Sequence, residues 1–258
     1  MQTMPNILDS FKLNGRKAIV TGAGKGLGQG YCKALAEAGA DIIAIDIADM
    51  SETRACVERQ GRKCHVFTAN LMDRKCYAGL FDEIKKACGG ADILVNNAGM
   101  IRRDDFLNFS EKDWDDVMNL NLDAVFFLGQ LFARECVARG ARGKIINIAS
   151  MLSFQGGIRV PSYAASKGGI KSLTMLMANE LADKGICTNA LAPGYFATDN
   201  TAPIRADASR EKAILGRIPA GRWGTPDDLM GAVVFLASSA SDYVNGHTLA
   251  VDGGWLAR

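Results

Sequence analysis

Histidine is nearly absent. The 258 residues hold only His65 and His247, far apart, so no histidine-based metal motif can be assembled and no protein-bound catalytic metal is expected. His65 falls inside an apolar β-rich run, where a packed or edge role suits it. Charge of one sign is missing as well: 30 Lys and Arg face 28 Asp and Glu, which argues against a nucleic-acid partner or an anionic membrane surface. Small molecules, or copies of the chain, are the expected partners. No stretch approaches the roughly 18 uninterrupted apolar residues of a membrane span, and the first ten residues lack a basic region followed by an apolar core. Cys-x-x-Cys is absent. The seven cysteines are odd in number and irregularly spaced, as expected of reduced thiols in a cytoplasmic protein.

What is present is a rhythm. Short β-branched runs alternate with helical patterns: Arg16 to Thr21, Asp41 to Asp46, Lys63 to Ala69, Asp92 to Asn96, Lys144 to Ala149, Gly185 to Ala192 and His247 to Val251. Such alternation predicts an α/β fold, a single doubly wound Rossmann-type domain over 1–258 with a mostly parallel seven-stranded sheet. The stretch from Thr198 to about Trp223, rich in Arg, Ala and Pro, breaks the rhythm. An excursion of that length in a compact domain suits a substrate lid over about 198–223.

The first strand runs into Gly22-Ala-Gly24-Lys25-Gly26-Leu27-Gly28 and then a helical pattern. Strand, glycine turn and helix in this order form a dinucleotide site, because glycines let the backbone approach a pyrophosphate and the helix N-terminus presents oriented N–H groups. Asp46 ends the second strand, 18 residues after Gly28, where a ribose-binding carboxylate belongs. It would repel a 2′-phosphate by roughly 4 kcal/mol per charge at ~4 Å and an effective dielectric of ~20. NAD is therefore expected over NADP, although Lys25 pulls the other way. Ile47, Asn70, Leu71, Asn97, Ala98 and Gly99 follow the carboxyl ends of later strands, and Pro193, Gly194, Phe196 and Thr198 follow the sixth. All are candidates for cofactor contact.

The chemistry centres on Ser150 and on Tyr163 and Lys167, four residues apart just after Pro161. Residues i and i+4 share a helix face, so the ammonium can lie near the phenol. Ionising a phenol of pKa ~10 at neutral pH costs about 4 kcal/mol. A positive charge about 5 Å away returns roughly 3 kcal/mol at an effective dielectric of ~20. Tyr-x-x-x-Lys alone is a common surface pair, and its weight here comes from the rest of the chain. Asn121 is a lone amide on an apolar helical face. Arg102 and Arg103 follow Gly99, and Gln155 and Arg159 lie between Ser150 and Tyr163; all four are candidates for a substrate carboxylate, with Arg205 and Trp223 of the lid as weaker ones.

Together, Thr21 to Gly28, Asn96-Asn-Ala-Gly99, Asn121, Ser150, Tyr163-Ala-Ala-Ser-Lys167 and Pro193-Gly194 resemble, in order and across essentially the whole chain, the motifs of the short-chain dehydrogenase/reductase family. The resemblance implies that Tyr163 exchanges a proton with the substrate oxygen, that Ser150 hydrogen-bonds it, and that Lys167 lowers the phenol pKa and holds the nicotinamide ribose. Asn121 would bind a water linking Lys167 to solvent. Asn70 departs from the usual Asp, and an amide still pairs with adenine. The runs Ile101-Arg102-Arg103, Ser110 to Asn119, Ile218 to Gly224 and Asp252 to Arg258 narrow the resemblance to members that oxidise deoxy sugar acids from pectin, NAD-linked and homotetrameric. An NADP-linked 3-oxoacyl-carrier-protein reductase or a gluconate 5-dehydrogenase is the alternative. The enoyl-reductase variant places its lysine six residues after the tyrosine, where this chain has Gly169.

Overall fold

The computed structural model describes residues 6–258. Its seven strands are β1 (Lys17–Thr21), β2 (Asp41–Asp46), β3 (Cys64–Thr68), β4 (Ile93–Asn96), β5 (Gly143–Ile148), β6 (Ile186–Pro193) and β7 (Thr248–Val251). They form one sheet in the order β3-β2-β1-β4-β5-β6-β7, and every neighbouring pair is parallel. The sheet is thus wholly parallel rather than mostly so, and its strand order reverses between β1 and β4. In open α/β sheets the crevice beyond the strands' carboxyl ends at such a reversal is where ligands bind.

Side-chain alternation along each strand divides the interior into two cores. Ala18, Val20, Ile42, Ala44 and Val95 point to one face. There they meet α1 (Gly26–Glu37), α2 (Ser51–Arg59) and α9 (Asp227–Ala237). Ile19, Ile43, Ile45, Leu94 and Ile145 point to the other. They pack on α3 (Tyr77–Cys88), α5 (Ala124–Ala138) and α6 (Pro161–Leu181). With both faces covered, the central strands are buried along nearly their whole length, which is why their sequences read as continuous apolar runs.

Two features were not evident in the sequence. A short 3-10 turn, Ile7–Phe11, precedes β1. The long helical pattern beginning at Ser110 is broken into α4 (Glu111–Met118), a π turn at Asn119–Asp123, and α5. The lid region folds as α7 (Ala202–Arg205) and α8 (Ala208–Leu215), the latter capped by the Asp207 carboxylate on the N–H groups of Ser209 and Arg210. No helix among the described residues is long and apolar enough to cross a membrane.

Candidate active site

The cofactor half of the crevice is built by backbone. Asp46 accepts hydrogen bonds from Gly24 N (2.8 Å), Ile47 N (2.7 Å) and Ala48 N (3.0 Å), which fixes the glycine loop against the end of β2. Thr21, quoted in the sequence only as the start of the glycine motif, receives the N–H groups of Asn97 and Ala98 on its Oγ1, both at 2.9 Å. The Asn97 amide donates to the carbonyls of Thr21 and Gly22 at 2.9 and 3.1 Å. Gly28 has no room for a side chain, since a Cβ there would lie 1.9 Å from the Gly22 carbonyl oxygen. Gly22 itself has φ +64°, a conformation that favours glycine. Loop, strand ends and helix N-terminus therefore hold one shape.

These elements open onto a cleft of about 440 Å³. Its walls include Gly22, Lys25, Gly26, Leu27, Gly28, Asp46, Ile47, Asn70, Leu71, Asn97, Ala98, Gly99, Tyr163, Lys167 and Thr198. Ala69, Met72, Met100, Leu120, Ile148 and Asp199 also line it and escaped the sequence reading, because each is an ordinary residue whose position depends on the folded crevice. Three candidates lie elsewhere. Gly194 packs against Asp252, a Cβ there meeting the Asp252 Cα at 2.6 Å. Phe196 is buried in the core and forms a bridge to Gly224, and Pro193 completes β6. They carry the chain from the sheet into the lid.

Ser150, Tyr163 and Lys167 meet at one end of the cleft. Ser150 follows β5 as the N-cap of a 3-10 turn, Met151–Ser153, and is buried. Pro161 opens α6, whose first two turns carry Tyr163 and Lys167. The Lys167 ammonium donates to the Ile148 carbonyl at 2.5 Å and lies 5.6 Å from the centre of the Tyr163 ring. Burial pushes the Tyr163 phenol up, opposed by its hydrogen bond with Ser150 and by the nearby Arg103 charge. Burial also holds Lys167 down at about 8. Desolvation thus acts on both groups and favours the neutral phenol, where spacing alone suggested that the lysine would lower the tyrosine's pKa.

Asn121 is fully buried in the π turn. Its amide clamps Met100, accepting from Met100 N and donating to Met100 O, both at 2.9 Å, and reaches Ser166 Oγ at 3.3 Å. It ties the loop after β4 to α6.

The arginine candidates separate. Arg102 pairs with Asp113 at 3.2 Å and Arg159 with Asp105 at 3.0 Å, both at the surface. Arg159 is also the non-glycine residue with positive φ, +65°, among the described residues. Gln155 accepts from Arg217 Nη2 at 3.2 Å. Arg103 alone of the three carries a charge that acts on the Tyr163 phenol, and partial burial pulls its pKa down. In the lid, Arg205 donates to the Thr198 carbonyl at 3.3 Å, and Trp223 packs edge-on against Tyr195 at 5.4 Å. Among the described residues there is no group of three His, Cys, Asp or Glu placed to hold a metal ion.

A family model described as enoyl-(acyl carrier protein) reductase matches residues 22–256. The chain belongs to the short-chain dehydrogenase/reductase family and is an oxidoreductase of its alcohol dehydrogenase kind. Within it, the chain is 60% identical over 252 residues to the 2-dehydro-3-deoxy-D-gluconate 5-dehydrogenase of Escherichia coli K12, covering 98% of this chain and 100% of that one. Two solved structures are similar throughout. One, from Agrobacterium tumefaciens, is assigned as a 2-deoxy-D-gluconate 3-dehydrogenase with bound NADP: 54% identical, TM-score 0.92, covering 96% of this chain and 99% of that one. The other is a gluconate 5-dehydrogenase from Burkholderia cenocepacia J2315 in complex with NADP and tartrate: 41% identical, TM-score 0.94, covering 98% and 100%.

Proposed function

We propose that the protein is a nicotinamide-dependent dehydrogenase of deoxy sugar acids, interconverting hydroxyl and ketone on 2-dehydro-3-deoxy-D-gluconate or 2-deoxy-D-gluconate. The observation that carries this reading is the buried Ser150 and Lys167 with the half-buried Tyr163 at the end of a glycine-walled cleft, where the Arg103 charge acts on the phenol. The names of the 60% identical relative and of the solved neighbours support the substrate class.

The residues present fit a dinucleotide, because Gly22, Gly26 and Gly28 line the cleft at the N-terminus of α1 with backbone alone. Gly22 to Gly28 would face the pyrophosphate, Asp46 and Lys25 the adenosine ribose, Asn70 and Leu71 the adenine, and Lys167 the nicotinamide ribose. When bound, the nicotinamide supplies the hydride acceptor or donor. In reduction, Tyr163 gives its phenolic proton to the ketone oxygen while Ser150 holds that oxygen by a hydrogen bond. In oxidation the proton returns from the hydroxyl to Tyr163. The raised phenol pKa suits the donor role, and Lys167, linked to solvent by a water held near Asn121, would replenish the proton.

Spacing points Asp46 toward NAD, yet both solved neighbours hold NADP. Three backbone N–H groups already share the Asp46 carboxylate, which softens its repulsion of a 2′-phosphate. Lys25 stands at the rim, held by Asp199 at 2.7 Å in an exposed pair that a phosphate can displace. We therefore favour NADP, with NAD as a weaker alternative. The narrow resemblance supports a homotetramer and a place in pectin breakdown, and the free cysteines suit the cytoplasm.

The test is nicotinamide absorbance at 340 nm, roughly the reduced-cofactor band, with NADPH and NADH against keto-deoxy sugar acids, 5-ketogluconate and acetoacetyl thioesters. Turnover of keto-deoxy sugar acids is expected to exceed that of the others. Faster thioester reduction would replace the reading with a 3-oxoacyl reductase, and a preference for 5-ketogluconate with a gluconate 5-dehydrogenase.

A further inference from the structure

The turn that carries Ser150 is tied to the helix that carries Tyr163 and Lys167 by a residue outside the catalytic set. Ser153 closes the 3-10 turn Met151–Ser153 and is half-buried. Its hydroxyl donates to the Lys167 carbonyl at 2.5 Å and accepts the Ser150 N–H at 3.3 Å. The proton and one lone pair of this hydroxyl are thus both committed to the backbone of catalytic residues. Lys167 lies inside α6, and a helical carbonyl keeps a second lone pair for such a bond.

The same short segment holds Lys167 at its other end, where the ammonium donates to the carbonyl of Ile148, the last residue of β5. One lysine is therefore gripped from positions 148 and 153, by side chain and by backbone, and Ser150 sits on the loop between them. Ser150 depends on that loop for its aim. Its Oγ accepts the Leu152 N–H at 3.2 Å, which leaves the hydroxyl proton to point out of the turn toward the phenol. Tyr163, one helical turn before Lys167, shares the lysine's face of α6. The flanking elements are fixed by packing, since Ile148 and Ile170 are buried in the core. Lys171 stands 4.2 Å over the Phe154 ring, but Phe154 is 43% exposed, and an exposed contact of this kind is weak.

We propose that Ser153 is a positioning residue, which sets the Ser150 hydroxyl against the Tyr163 phenol by tying their two segments together at the Lys167 carbonyl. This rests on the roles proposed above for Ser150, Tyr163 and Lys167. Without the Ser153 hydroxyl, strand and helix stay packed while the turn between them loses its tie. A misplacement of about 1 Å at the reacting atoms costs up to about 10² in rate, so a bond remote from the substrate oxygen governs the chemical step.

The experiment compares wild-type protein with Ser153→Ala, Ser153→Thr, Ser150→Ala and the Ser150→Ala, Ser153→Ala double variant in reduction of a keto-deoxy sugar acid, with dinucleotide affinity measured on each. Ser153→Ala is expected to lower kcat by about 10- to 100-fold, with KM for the acid and dinucleotide affinity within about twofold. Ser153→Thr keeps the donor and the acceptor and should stay within about threefold of wild type. The double variant should be no slower than Ser150→Ala, because a residue that acts through Ser150 has nothing left to position. A kcat for Ser153→Ala within about twofold of wild type overturns the proposal, as do losses that multiply in the double variant, the mark of a purely structural role. A threonine variant as slow as the alanine one overturns it too. If Ser153→Ala does not fold, Ser153→Cys, a weak donor of similar volume, takes its place under the same outcomes. Wild-type protein inert toward every sugar acid would instead overturn the proposed function. The crystal structure of Ser153→Ala then still judges the tie: Ser150 Oγ is expected to shift by about 1 Å relative to Tyr163, and an unmoved hydroxyl sinks the proposal.

Discussion

The two halves of the cleft are held by different means. In the cofactor half, Asp46, Thr21 and Asn97 bind backbone groups of the glycine loop and of the strand ends, all within the parallel sheet. In the substrate half, the partners are side chains on loops and short helices: Arg102 with Asp113, Arg159 with Asp105, Arg217 with Gln155. Backbone hydrogen bonds inside a packed sheet leave one arrangement, whereas exposed ion pairs contribute little and re-form readily. One half is preformed. The other can be rebuilt without disturbing the sheet.

The sharpest way to break this contrast is at the residue where the halves meet. Tyr163→Phe is expected to lower kcat by about 10² to 10⁴, the range for loss of a general acid, while dinucleotide affinity from fluorescence titration stays within a few-fold. Comparable loss of cofactor binding would mean that the phenol belongs to the cofactor half and not to the chemistry.

A smaller effect, confined to the same end of the cleft, comes from pH. Lys167 is held down at about 8 by burial, so it loses its proton as pH rises through that value, while the raised phenol of Tyr163 stays protonated. In the reduction direction kcat/KM is expected to fall above about pH 8. Lys167→Arg, which keeps its charge, should show lower activity but no such limb between pH 7 and 9, since arginine does not titrate there. A limb that survives the substitution belongs to another group.

The same contrast governs what could be read without coordinates. The βα alternation, the glycine turn and the acid that ends β2 were legible because each is a local pattern: short apolar β-branched runs between helical ones, a helix N-terminus, a fixed spacing. Arg102, Arg103 and Arg159 were indistinguishable in sequence, since what each one meets depends on segments distant in the chain. The same limit hid Tyr195, which packs with Met151 only after the lid folds back on the turn following Ser150. Asn121 was singled out as a polar group on an apolar face, but its grip on Met100 depends on a π turn that no helical pattern reveals.

At the outer rim of the cofactor half, Asp199→Asn should free Lys25 for a 2′-phosphate. Because the pair is exposed, the KM for NADP is expected to fall by no more than about fivefold relative to that for NAD. No change in that ratio would place the phosphate away from Lys25.

The smallest expected effect tests the division most strictly. If Arg102 and Arg159 are committed to Asp113 and Asp105 at the surface, then Arg102→Gln and Arg159→Gln should each leave kcat and the KM for a sugar acid within about twofold of wild type. Arg103→Gln should raise that KM tenfold or more, since the charge of this guanidinium alone of the three acts on Tyr163. A KM rise in Arg159→Gln as large as in Arg103→Gln would show that the segment between Ser150 and α6 turns inward when substrate binds. The Asp105 pair would then be a resting contact, exchanged for the substrate carboxylate as the lid closes.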